Sequence, residues 1–171
     1  MSEPCVIALH LRSSAQLFNS FDPSPFTERD LDRDAAEYIV SSARECHASQ
    51  PLVLRLHLDE ATGADLQTAV CNYFAYREEL SARELREHLR IARIAMLIGL
   101  TTLVLGHIGS TWVAATWPGH LGEVAANALL IGAWVAMWRP LELYLYDWWP
   151  IRRRTRLYHR LATCRVETVI G

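Results

Sequence analysis

Two short segments, residues 6–12 and 53–59, alternate apolar and polar positions without a break. Ile7, Leu9 and Leu11 fall on one side of the first, and Leu54, Leu56 and Leu58 on one side of the second. The opposite sides carry His10 and Arg12, and Arg55, His57 and Asp59. A period of two predicts strands with one buried and one polar face. The two segments match along their length at an offset of 47, which makes them a short internal repeat. Between them, Leu31, Ala35, Tyr38, Ile39, Ser42 and Cys46 recur at helical spacing and predict a helix over residues 27–48. Thr27 followed by Asp30 reads as its capping box, and Asp30, Asp32 and Asp34 suit the positive end of the helix dipole. Asp22-Pro23-Ser24-Pro25 ahead of it reads as a turn. Strand, helix and strand at this spacing predict a right-handed βαβ unit with parallel strands.

Beyond Asp59 the pattern changes. An Ala61-Thr62-Gly63 turn leads to a helix from near Asp65 that meets no breaker through Arg93. It is expected to run on into the next apolar stretch as a rod of about 50 residues. Residues 94–115 hold no charge over 22 positions. At about 1.5 Å per residue they cover a hydrocarbon core of about 30 Å. A second apolar stretch, residues 121–139, contains Glu123 and Asn127 and closes at Arg139-Pro140. Together the stretches predict a transmembrane helical hairpin with connector 116–120. With the turn centred near Gly119, Gly106 and Ser110 would face Gly132 and Ala128, small residues that let helices approach closely in lipid. The same residues could instead join protomers. Pro150 then opens a basic helix over residues 151–163, and residues 165–170 alternate like a third strand.

The expected fold class is therefore an α/β (α+β) cytosolic domain with a small, mostly parallel three-stranded sheet, plus a transmembrane α-helical hairpin. The expected divisions are residues 1–92 (βαβα domain), 93–146 (hairpin) and 147–171 (interfacial basic helix and return strand).

Charge sharpens this picture. The net charge of −2 is the balance of two unlike halves. Residues 1–82 hold 6 Arg against 13 acids (net −7), and residues 83–171 hold 11 Arg against 6 (net +5). Arg83, Arg86, Arg90 and Arg93 precede the first span, and Arg139, Arg152, Arg153, Arg154, Arg156 and Arg160 follow the second. The connector carries no arginine or lysine, so both termini are expected in the cytoplasm. Trp148 and Trp149 beside Arg152, Arg153 and Arg154 suit a membrane surface with anionic headgroups better than nucleic acid, which would need a basic face on the soluble domain. Cys5, Cys46, Cys71 and Cys164 show no metal or redox spacing and read as small hydrophobes in a reducing setting. The first residues lack a basic start, a long apolar run and a small-residue cleavage site, so no signal peptide is expected.

Chemistry is sparse. There is no glycine-rich phosphate loop, nucleophile elbow, His-Glu-x-x-His or Cys-x-x-Cys, and no cofactor is implied. The one constellation is on the polar strand face: paired in matched register, His10 and His57 would stand about 5 Å apart with Asp59 two residues on, a possible divalent-metal set. The competing readings of that face are a solvated surface and a protein contact, as a homo-oligomer or with another partner. Phe21-Asp22-Pro23-Ser24-Pro25-Phe26 with Arg29-Asp30-Leu31-Asp32, and Trp138-Arg139-Pro140-Leu141-Glu142 with Tyr146-Asp147-Trp148-Trp149-Pro150, resemble a family of uncharacterised bacterial two-helix inner-membrane proteins across most of the chain. That resemblance implies a bacterial inner-membrane setting and nothing catalytic. The function expected is an anchor, scaffold or regulatory subunit, with a small metal-binding protein or enzyme using His10, His57 and Asp59 as the alternative.

Overall fold

The structure, a computed structural model, describes residues 3–59 and 65–170, so the expected Ala61-Thr62-Gly63 turn lies outside the described residues. In chain order it runs β1 (Cys5–Leu11), 3-10 turns at Ser14–Leu17 and Phe26–Glu28, α1 (Arg33–Glu45), β2 (Leu52–Leu58), α2 (Leu66–Thr116), α3 (His120–Leu145), α4 (Trp148–Ala162) and β3 (Arg165–Ile170). Contacts divide the chain into two units, Met1–Ala82 with Arg153–Gly171, and Arg83–Arg152.

The first unit is built on a three-stranded sheet in the order β1-β2-β3, parallel throughout. Cys5 stands opposite Leu52 and Leu11 opposite Leu58, the register set by the short repeat at an offset of 47. A one-residue slip would turn Leu54, Leu56 and Leu58 to the polar side, which is why an alternating sequence fixes register so firmly. These three leucines are almost fully buried, against Ile39 of α1, Val70 and Phe74 of α2, and Leu161 of α4. Each such side chain contributes about 1.5–3 kcal/mol through burial. The third strand arrives only after the hairpin has been made. Gln67 fixes its entry: its Oε1 accepts from Val166 N at 2.6 Å, and its Nε2 donates to the Cys164 carbonyl at 2.9 Å.

The helix expected over residues 27–48 begins later. Residues 30–32 are held in an extended ladder, with Asn19 N donating to Asp30 O and Asp32 N to Leu17 O, both at 2.8 Å. A backbone committed to that ladder cannot enter a helix. Asp32 therefore caps α1, accepting from Asp34 N (3.0 Å) and Ala35 N (3.3 Å), while Thr27 sits in a 3-10 turn. Asp22 organises the loop before it, accepting from Asp30 N at 2.7 Å and Ser24 N at 3.0 Å.

The cysteine expectation fails at two positions. Cys5 and Cys46 form a disulfide with Cα atoms 6.0 Å apart. A βαβ crossover explains the meeting: α1 must run back past the sheet so that β2 can start beside the start of β1. The C-cap of α1, Cys46, thus returns to the end of the sheet where Cys5 begins. Cys71 and Cys164 remain free.

In the second unit, the Arg83–Thr116 part of α2 packs on α3. Ala92, Gly99, Gly106, Ala126, Ala133 and Pro140 form the inner seam, spaced by seven residues within each helix. That repeat is the signature of left-handed packing, and the short connector between Thr116 and His120 makes the two helices antiparallel. A Cβ at Gly106 would overlap the Cβ of Ala133, and one at Gly99 would meet Pro140 Cγ at 2.8 Å. The expected facing of Gly106 with Gly132 is therefore off by one residue. One residue rotates a helix by about 100°, which carries Ala128 and Gly132 from the seam to the outside. Both are exposed, Gly132 has nothing within 4 Å of its Cβ position, and Ser110 is half-buried. The turn itself needs glycine twice. Gly119 has φ +121°, and a Cβ at Gly122 would collide with the Trp117 carbonyl.

Candidate contact face and histidine pair

The sheet has one covered face and one open face. Ile7, Leu9, Leu54, Leu56 and Leu58 point under the helices. The open face is read in three rows across β1, β2 and β3: Val6, Val53 and Arg165; Ala8, Arg55 and Glu167; His10, His57 and Val169. Its centre is an ion pair, Arg55 to Glu167 at 3.1 Å, with Arg165 reaching the same carboxylate at 3.6 Å. These groups are about a third exposed or more, and pairs of that kind contribute at most about 1 kcal/mol. They set the surface's charge pattern more than its stability.

His10 and His57 are brought together. Their Cα positions are direct register partners, and the imidazoles stack with centroids 4.3 Å apart and planes within 11°. Asp59 lies one residue beyond β2 and does not complete a ligand set: no group of three His, Cys, Asp or Glu able to hold a metal occurs among the described residues.

The membrane-facing residues of the sequence argument lie on α4. Trp148 and Trp149 meet edge to face at 5.9 Å, and the Arg152 guanidinium sits 5.4 Å above the Trp148 ring. Arg152 and Arg153 are exposed and Arg154 is half-buried. In the second unit Arg139 pairs with Glu142 at 2.8 Å, as the i, i+3 spacing allows.

Two features escaped sequence reasoning. One is a cleft of about 500 Å³ in the first unit, rimmed by Arg33, Arg44 and Arg77 and walled by Tyr73, Tyr76 and Tyr158. Arg77 donates to the Tyr158 hydroxyl at 3.4 Å and lies 5.6 Å over its ring. Its residues come from separate helices with no shared spacing, so no local pattern announces it. The other is a thiol neighbourhood: burial, with Cys71 adjacent, pushes the Cys164 thiol up to about 12. Cys164 is thus a packing residue and a poor nucleophile. No protein-family model, curated protein or solved structure matches this chain, so its assignment rests on geometry alone.

Proposed function

We propose that the chain is an integral protein of a bacterial inner membrane, with α2 and α3 crossing the bilayer and both termini in the cytoplasm. The α/β unit acts there as an anchor, scaffold or regulatory subunit, through protein contacts rather than catalysis. One observation carries the membrane part of this reading. The described residues include two helices long and apolar enough to cross a membrane, and their large side chains point outward. Leu97, Leu105, Ile131 and Val135 are each more than 60% exposed. Water would charge about 1.5–3 kcal/mol for every one of them, whereas lipid welcomes them.

Orientation follows from ten arginines on the flanks and none in the connector. The Cys5–Cys46 bridge pulls the other way, since disulfides are rare in a reducing cytosol. The arginine asymmetry, which spans both ends of the hairpin, carries the decision over this single bridge. The uncovered sheet face and the outward small residues Ala128 and Gly132 are the surfaces for a second copy or another protein. Arg152 with Trp148 and Trp149 suits anionic headgroups.

The test is alkaline carbonate extraction of membranes from expressing cells, followed by protease treatment of right-side-out and inverted vesicles. Retention in the pellet, with the α/β unit cut only in inverted vesicles, is expected. Release into the carbonate supernatant would overturn the membrane reading, and cleavage in right-side-out vesicles would overturn the orientation.

A further inference from the structure

Residues 1–82 are strongly acidic, yet three of their six arginines meet at one place. Arg33 and Arg44 lie on one face of α1 with Glu37 and Val40 between them, and Arg77 shares one face of α2 with Tyr73 and Tyr76. Both faces line the cleft of about 500 Å³ in the first unit, together with the buried Tyr158 of α4. We propose that this cleft binds a nucleoside polyphosphate, with its phosphates on the arginines and its base against the tyrosines. The site lies wholly within the α/β unit and does not depend on how that unit meets the membrane.

The arginines set the charge of the ligand. Among the described residues neither Arg33 nor Arg44 has an ion pair or a hydrogen bond from its guanidinium, and both are exposed. Arg77 is pre-positioned 5.6 Å over the Tyr158 ring, and its one bond, to the Tyr158 hydroxyl at 3.4 Å, leaves further N–H donors of its fork for a phosphate. Arg33 and Arg44 stand about 16 Å apart along α1, a spacing that suits an extended anion better than a compact one. The tyrosines then ask for a flat ring. Tyr73 is held edge-on to Phe74 at 5.1 Å, and Tyr76 keeps 56% of its surface exposed, which leaves aromatic surface for a base to cover. Asp30 and Glu37 also line the cleft, and their carboxylates only accept. They would repel a bare polyphosphate but suit the hydroxyl and amino donors of a ribose and base. Several negative charges, such donors and a flat ring together describe a nucleotide, and the cleft has the volume of a small-ligand site.

The full chain, purified in an uncharged detergent, is titrated calorimetrically with ATP, GTP, adenosine and inorganic triphosphate. One nucleotide per chain is expected, bound at least ~10-fold more tightly than either adenosine or inorganic triphosphate, since each of these lacks half of the contacts. Arg33→Gln and Arg44→Gln, at exposed positions, should each weaken binding by about 10-fold or more and leave the circular dichroism spectrum unchanged. Tyr76→Ala should weaken nucleotide binding by about 10-fold and leave that of inorganic triphosphate as it was. Arg12→Gln, an arginine of the same unit outside the cleft, should bind as wild type does. No saturable binding of ATP or GTP would overturn the proposal. So would triphosphate binding as tightly as the nucleotides, undiminished binding in the Arg33 and Arg44 variants, or an equal loss in Arg12→Gln.

Discussion

Breaking the Cys5–Cys46 bridge tests whether the first unit is stabilised as its topology implies. The bridge joins the first residue of β1 to the C-cap of α1 across a separation of 41 residues. In the chain-entropy treatment, closing a loop of that length restricts the unfolded chain by about 13 cal/mol/K, or about 4 kcal/mol at 25 °C. With a urea slope of about 2 kcal/mol/M, reduction should lower the unfolding midpoint by about 2 M. The bridge also pins β1, an edge strand of the sheet. The assay is urea unfolding of the full chain in detergent, followed by near-ultraviolet circular dichroism, with and without reductant. Cys5→Ala serves as control and should unfold where the reduced protein does, insensitive to reductant. A shift below about 0.5 M would refute the reasoning, because it would mean that the loop is already restricted in the unfolded state or that the two sulfurs are not bonded. Maleimide labelling of the protein in intact cells, before lysis, adds a reading of compartment. In a variant with Cys71 and Cys164 replaced by Ala, label at Cys5 or Cys46 would place the α/β unit on a reducing side, and its absence would place it on an oxidising one.

Two other outcomes follow from the geometry. Gly106→Ala should push α2 and α3 apart and lower thermal stability in detergent, while Gly132→Ala should be neutral, because its Cβ meets nothing within 4 Å; equal effects of the two would sink the observed helix register. Asp22 is held below its ordinary carboxylate value, first by the Asp30 backbone N–H and then by Ser24. A lowered folded value means its contribution is complete above the unfolded value near 3.8 and disappears as pH falls through the lowered one. The stability difference between wild type and Asp22→Ala should therefore shrink in acid, and a gap constant from neutral pH to strong acid would refute this.

Much of the architecture was legible before any coordinates. The alternation of residues 6–12 and 53–59 and their common offset dictated a parallel pair in the observed register, because a side-chain period of two leaves only one register that buries every leucine. The unbroken sequence from Asp65 announced a helix of 51 residues, and the alternation of residues 165–170 announced β3. The meeting of His10 and His57 followed from the repeat itself. These are properties of one element, or of two copies of one pattern, and a sequence records such properties directly.

The tertiary structure decided the rest. Where α1 begins depended on a ladder that residues 30–32 form with residues 17–19, a partner their own pattern does not reveal. Cys5 meets Cys46 because a crossover folds one end of α1 back to the start of the sheet. Small residues spaced by four were visible on both apolar helices, but the seam lay one residue away, so Gly106 packs and Gly132 does not. Local pattern tells which residues an element wants to bury. How far a helix is rotated, and which distant backbone claims its first turn, are settled only when the elements compete for the same neighbours.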